Sequence, residues 1–274
     1  MSHGGNAARL AEGYAQPARY LQWYEDRNGA DDLRRLSVHA PLHLWARELP
    51  AGWLADRLGP APRCLVEGCA VAENVDTLLR FLHAQGIPRP DIHVIDLIDL
   101  AGLGRADPRA RYAQADAGDL SGLFADGSVD LLLQDHLLNC APIAAYDRVI
   151  GEMARVLRPG GLAMLNYTDP SLFPEPSGHG LAGWSGAGQT MLGLPLERLS
   201  PAERLVPVPD GVMSVTLPFG NLEYFMPFER LADRLASAGL DLAELRISEG
   251  LDHTAVDGEG LHCRRHHCLL TCPG

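Results

Sequence analysis

The chain contains no lysine: every one of its 23 basic residues is arginine. That absence excludes chemistry that needs an amine side chain. Pyridoxal-phosphate enzymes and Schiff-base aldolases use a lysine nucleophile. P-loop NTPases and protein kinases place a lysine on their phosphates. A general base must therefore come from His, Asp, Glu, Tyr or Cys. Basic charge is also scarce against 35 acidic residues, and the formal charge is −12. Non-specific nucleic-acid binding rests on phosphate neutralisation, so nucleic acid is not an expected partner. No apolar run approaches the roughly 18 residues of a membrane span. Met1 to Gly13 lacks the apolar core of a signal peptide. No membrane association and a cytoplasmic location are the expectations.

Zinc-type cysteine spacing is missing as well. The six cysteines stand at 64, 69, 140, 263, 268 and 272, and no CxxC pair exists. Cys263-Arg264-Arg265-His266-His267-Cys268 matches no ligand pattern, and alternation along a strand accounts for it. No metal is expected there, and free buried thiols are the default in a reducing cytosol.

What is present is strand–helix alternation. The first sixty residues read as helical, with Tyr20, Trp23, Tyr24, Trp45 and Trp53. Arg63–Glu67 is a short strand. Val75, Leu78, Leu79 and Leu82 follow at the spacing of one helix face. Further strands are expected at 91–97, 110–115, 129–134 and 162–168. Ile150, Met153, Ala154 and Leu157 mark a helix ended by Pro159-Gly160-Gly161. This alternation implies an α/β fold with a parallel sheet covered on both faces. Ligands on such sheets bind at the carboxyl ends of the strands. From Pro170 to about Asn221 the rhythm breaks into Gly, Pro and Ser, and an inserted cap is expected. A helix around Phe228–Leu235 and strands near 241–248 and 264–271 close the chain. The divisions are 1–60, a helical lid; 61–169, the core; 170–221, the cap; and 222–274, the helix and strands completing the core.

Five pieces in order carry a family likeness. They are Gly68-Cys69-Ala70-Val71-Ala72 after the first strand, Val94-Ile95-Asp96, Gln114-Ala115-Asp116-Ala117, Phe124-Ala125-Asp126-Gly127-Ser128-Val129-Asp130, and Arg155-Val156-Leu157-Arg158-Pro159-Gly160-Gly161. Together they resemble the class I S-adenosylmethionine (SAM) methyltransferases. The resemblance implies a Rossmann-like, mostly parallel seven-stranded sheet and SAM as cofactor. It implies Asp96 on the ribose hydroxyls, with Leu97 beside it and Asp99 as a weaker competitor. Asp116 would take the adenine amino group and the Ala117 N–H the ring. Gly68, Ala70 and Ala72 would approach the methionine half. Gln134 and Asp135 would border the sulfonium.

One departure is plain. The family shows an acid and three glycines at the first turn, and here Val66, Gly68, Ala70 and Ala72 stand there. Glu67 is one place off, which on a strand means the opposite face. Three functional readings follow. The first is methyl transfer to a small molecule in specialised metabolism. The second is cyclisation of SAM to azetidine-2-carboxylate with release of methylthioadenosine, where the missing acid would leave the amine neutral. The third is a degenerate binding protein. His136 is the candidate general base, Asn139 a candidate orienting group, and Tyr167 a candidate at the end of the fifth strand. Tyr20, Trp23, Tyr24, His179, Trp184 and Ser185 are candidate substrate contacts from lid and cap. The partner expected is a small molecule, and a homodimer is left open.

Overall fold

The structure, a computed structural model, describes residues 39–68, 73–177, 190–216, 221–251 and 261–274. Its centre is a seven-stranded sheet. The strands are β1 (Arg63–Glu67), β2 (Asp91–Asp96), β3 (Ala110–Gln114), β4 (Val129–Asp135), β5 (Leu157–Asp169), β11 (Asp241–Leu251) and β12 (His262–Thr271). Their spatial order is β11-β12-β5-β4-β1-β2-β3. The pairs from β3 to β5 are parallel, while β12 runs antiparallel to β5 and β11. The chain leaves β1 toward β2 on one side and returns to β4 on the other. The point between β1 and β4 is the topological switch at which such sheets bind ligands.

Both faces of the sheet are covered, so its central strands are apolar throughout. Helices α1 (His39–Glu48), α2 (Trp53–Leu58) and α3 (Glu73–Ala84) lie on one face. Their Leu42, Trp45, Leu54 and Leu78 pack with Val66, Leu131 and Leu133. Trp45 is fully enclosed. For residues 39–58 the expected lid is therefore a layer of the core. The spacing of Val75, Leu78, Leu79 and Leu82 places all four in that layer, as the sequence predicts. On the other face, α5 (Tyr146–Val156) contributes Val149, Ile150 and Met153 against Leu65 and Leu132.

The helix predicted to run through Leu157 ends at Val156. Leu157 instead pairs with Val129, and β5 runs on through Pro159-Gly160-Gly161 across an irregularity opposite Val129/Leu131. Gly160 takes φ 74°, and its N–H donates to Cys272 O at 2.8 Å. The glycines bend a strand here and do not only stop a helix.

The inserted segment carries its own sheets. β6 (Thr190–Met191) and β7 (Leu194–Pro195) form a hairpin. β8 (Leu205–Val208), β9 (Gly211–Thr216) and β10 (Asn221–Phe225) form an antiparallel sheet. Since β10 pairs with β9, this unit extends to Phe225, past the boundary expected at 221. Met191, Met213, Val215 and Tyr224 belong to the same apolar cluster as α5. Asp169 holds both ends of the insertion. Its carboxylate accepts from Ser171 N–H at the exit and from Phe228 N–H at the start of α6 (Phe228–Ser237), each at 2.6 Å. Among the described residues no helix is long and apolar enough to cross a membrane.

Candidate active site

The carboxyl ends of β1, β2 and β3 form one half of the site. Gly68 takes φ 70°, and a Cβ there would lie 2.9 Å from the Leu137 side chain. Only glycine meets both demands, so the one glycine retained in the turn is the one the geometry requires. Its N–H donates to Ile95 O at 2.9 Å, which fixes where the chain leaves the sheet. Asp96 ends β2, and its Oδ1 accepts from Ile98 N–H at 3.0 Å, an Asx turn. Leu97 is 49% exposed, unusual for leucine beside a strand end. Asp96, Ile98, Tyr112 and Gln114 line a small recess. Asp116 accepts from Gly118 N–H at 2.8 Å and from Arg148 Nη1 at 2.9 Å. It is thus already employed as a turn former and ion-pair partner. Ala117 beside it is buried.

The ends of β4 and β5 form the other half, and here the side chains point inward. Glu67 and Gln134 are both buried, and Gln134 Nε2 donates to Glu67 Oε2 at 2.7 Å. Burial pushes the Glu67 carboxyl up to about 8, against the hydrogen bond from Gln134. Glu67 Oε1 and Gln134 Oε1 have no hydrogen-bond partner. Val66 packs in the apolar cluster on the opposite face. Glu67 therefore does not substitute for the acid missing at Val66. Asp135 accepts from Asn166 Nδ2 at 2.6 Å. Burial pushes its carboxyl up, opposed by Arg265, by the Asn166 hydrogen bond and by His136.

His136 opens the short helix α4 (Leu137–Cys140) with φ 58°. Left-handed backbone in a residue other than glycine costs about 1–2 kcal/mol, held here by the surrounding bonds. Its N–H donates to Asn166 O at 3.0 Å, and its Nδ1 lies 3.4 Å from Thr168 Oγ1. Its Nε2 lies 3.5 Å from Glu223 Oε1.

Two expected site residues are placed elsewhere in role. Asn139 is fully enclosed. Its Nδ2 donates to Thr168 O and to Tyr224 O at 3.0 Å, and its Oδ1 accepts from Thr168 N–H at 2.9 Å. A polar side chain in an apolar stretch needs partners, and Asn139 finds them in the backbone of β5 and β10. Tyr167 does not face an open pocket. It is fully enclosed, its hydroxyl donating to Met226 O at 3.0 Å and accepting from Met226 N–H at 2.6 Å. Burial pushes its phenol up. Tyr146 repeats the device on Tyr224 O at 3.1 Å.

Sequence reasoning missed Asn166, Thr168 as a histidine partner, and Glu223. Glu223 carries no local signal, because only the pairing of β10 with β9 brings it toward α4. Ala70, Ala72, Tyr20, Trp23, Tyr24, His179, Trp184 and Ser185 lie outside the described residues. None of the five described cysteines is in a disulfide, and Cys263 and Cys268 are buried along β12.

This sheet order, with β12 reversed beside β5 and a glycine turn at the switch point, defines the class I methyltransferase fold. A methyltransferase-domain family matches residues 93–165. A relative from Mycobacterium sp. (strain JLS), named as an uncharacterized methyltransferase, is 44% identical over 63 residues. The match spans 23% of this chain and 23% of that relative's length. The fold is similar to that of 1,6-didemethyltoxoflavin-N1-methyltransferase from Burkholderia thailandensis, solved with 1,6-didemethyltoxoflavin and S-adenosylhomocysteine bound. That likeness has TM-score 0.56 and 14% identity, over 100% of this chain and 92% of that one. A SAM-dependent methyltransferase from Methanosarcina mazei gives TM-score 0.53 and 17% identity, over 80% and 96%. The fold is similar to that of class I methyltransferases, and over residues 93–165 the sequence matches a methyltransferase-domain family.

Proposed function

We propose that the protein is a SAM-dependent enzyme that methylates a small molecule in specialised metabolism. The observation that carries this reading is the switch point between β1 and β4. There Gly68 turns at positive φ close against Leu137, and Asp96 and Leu97 stand at the neighbouring strand end. SAM, when bound, supplies an already activated methyl group. The chain's residues have the lighter tasks of holding and aligning. Asp96 accepts hydrogen bonds from ribose hydroxyls, the half-exposed Leu97 covers the adenine, and Gly68 lets the backbone approach the methionine half. The Gln134–Asp135 backbone borders the reacting end. His136 stands at that end as the group able to take a proton from an acceptor near neutral pH. The inserted sheet, stapled to β5 through Asp169 and Asn139, supports a closed pocket rather than a groove for a polymer.

Val66 favours a second reading. With valine at the position where the family has its acid and Glu67 held by Gln134, neither residue biases the amine of SAM toward its ammonium form. Such an amine could close on its own γ-carbon and release methylthioadenosine. One experiment separates the readings. The protein is incubated with SAM alone and the products are resolved by mass spectrometry. Methyl transfer gives S-adenosylhomocysteine only when an acceptor is added. Methylthioadenosine without any acceptor supports cyclisation. Absence of SAM or S-adenosylhomocysteine binding by calorimetry overturns both.

A further inference from the structure

We propose that His136, Cys140 and Glu223 form a zinc site with three protein ligands and one open position. One donor atom from each lies within 4.8 Å of the others. A tetrahedral zinc with bonds of about 2.0–2.3 Å places its ligand atoms about 3.3–3.8 Å apart. His136 Nε2 and Glu223 Oε1, at 3.5 Å, already stand at that separation. The Cys140 Sγ stands within 4.8 Å of both.

Three independent features point the same way. First, Glu223 is 9% exposed and its Oε2 is buried with no hydrogen-bond partner. A buried carboxylate is costly unless paired or bound to a metal. A divalent cation offsets that charge together with the thiolate of Cys140, which is free of any disulfide. Second, the imidazole is oriented for the task. Nδ1 faces Thr168 Oγ1 at 3.4 Å, which leaves Nε2 on the side of Glu223. Metal-binding histidines commonly donate their other ring N–H to a carboxylate, carbonyl or water, and the Thr168 hydroxyl takes that place here. Third, the ligands sit on a fixed frame. His136 caps the start of α4 and Cys140 is its last residue, and Asn139 between them clamps α4 to Thr168 O and Tyr224 O, the residue next to Glu223.

The mixed imidazole, thiolate and carboxylate set selects zinc over magnesium or calcium. With three protein donors, the fourth position holds water or an oxygen or sulfur atom of a substrate. When zinc is bound, His136 is a ligand and not a free base. The proposal does not depend on which SAM reaction the site runs.

The test uses the full chain stripped with EDTA and titrated with ZnCl2 against a chromogenic chelator. The expected result is one tight equivalent per chain. Co2+ in its place should give the visible bands of a tetrahedral site and a thiolate charge-transfer band. Zinc should slow alkylation of Cys140 by iodoacetamide, read by peptide mapping on the unmutated protein. Thr168→Val should weaken zinc by about 10–100-fold, and Cys140→Ser should abolish the thiolate band. Absence of stoichiometric zinc overturns the proposal. So does alkylation of Cys140 at the same rate with and without zinc. Zinc retained in Cys140→Ser but lost in Cys263→Ser also overturns it, because the metal would then belong to the C-terminal strand.

Discussion

The two halves of the sheet's carboxyl edge use similar polar residues to different ends. Beside β2 and β3, Asp96 is half-buried and Asp116 exposed, and each closes a local turn with its own backbone. Beside β4 and β5, Asn139, Tyr146, Tyr167 and Asp169 are buried and hold the inserted segment by its backbone. Polar groups on the open side can exchange water for a ligand. Those on the closed side have already exchanged water for protein, so they define shape and are not free to bind. The difference lies in burial rather than in residue type.

Breaking the closed side should cost most. Asn139→Ala removes three hydrogen bonds, takes the Asn139 partner from the Thr168 backbone N–H and C=O, and leaves Tyr224 O to the Tyr146 hydroxyl. A loss of about 3 kcal/mol is expected in urea unfolding. Unchanged stability with lost turnover would instead make Asn139 a substrate contact and undo the contrast.

The pH profile of Glu67 comes next. Its folded value is raised to about 8, so between the ordinary carboxylate range and pH 8 the folded state holds a proton that the unfolded state has lost. Stability should fall as pH rises through that window and level off above it. Glu67→Gln should flatten that slope, checked by unfolding at a series of pH values.

On the open side, Asp96→Ala should leave the melting temperature nearly unchanged. It should weaken S-adenosylhomocysteine binding by about 1–3 kcal/mol in calorimetry. Asp116→Ala should have the smallest effect. Its ion pair with Arg148 is half-exposed, and such pairs contribute about 0–1 kcal/mol. If Asp116→Ala weakens binding as much as Asp96→Ala, both carboxylates address the ligand and the open half is a two-point clamp.

Much of the frame was legible in sequence. The helix through Val75 and Leu82 and the strands at 63–67 and 91–96 follow from periodicity, because each buries one face or both. The course of β5 through Gly160 and Gly161 was not legible, since its pairing with β4 and with the C-terminal strand overrides the local breaker signal. In the candidate site, the turns at Gly68 and Asp96 were visible because backbone conformation and turn chemistry are local. Asn139 and Tyr167 were expected to serve the reaction, and the structure encloses both with backbone partners. What a buried polar group bonds to depends on a strand, β10, far along the chain.

The absence of lysine is a fact of sequence alone, and it removes amine chemistry whatever the fold. Sequence also determined the order of strands and helices and the loss of the acid at Val66, because these rest on residue type and local spacing. Tertiary structure alone decided which polar residues remain available. It turned Glu67 toward Gln134, enclosed Tyr167, and brought Glu223 beside His136 and Cys140. Those outcomes depend on which backbones meet across the insertion, and the burial they produce sets both hydrogen-bond partner and charge state.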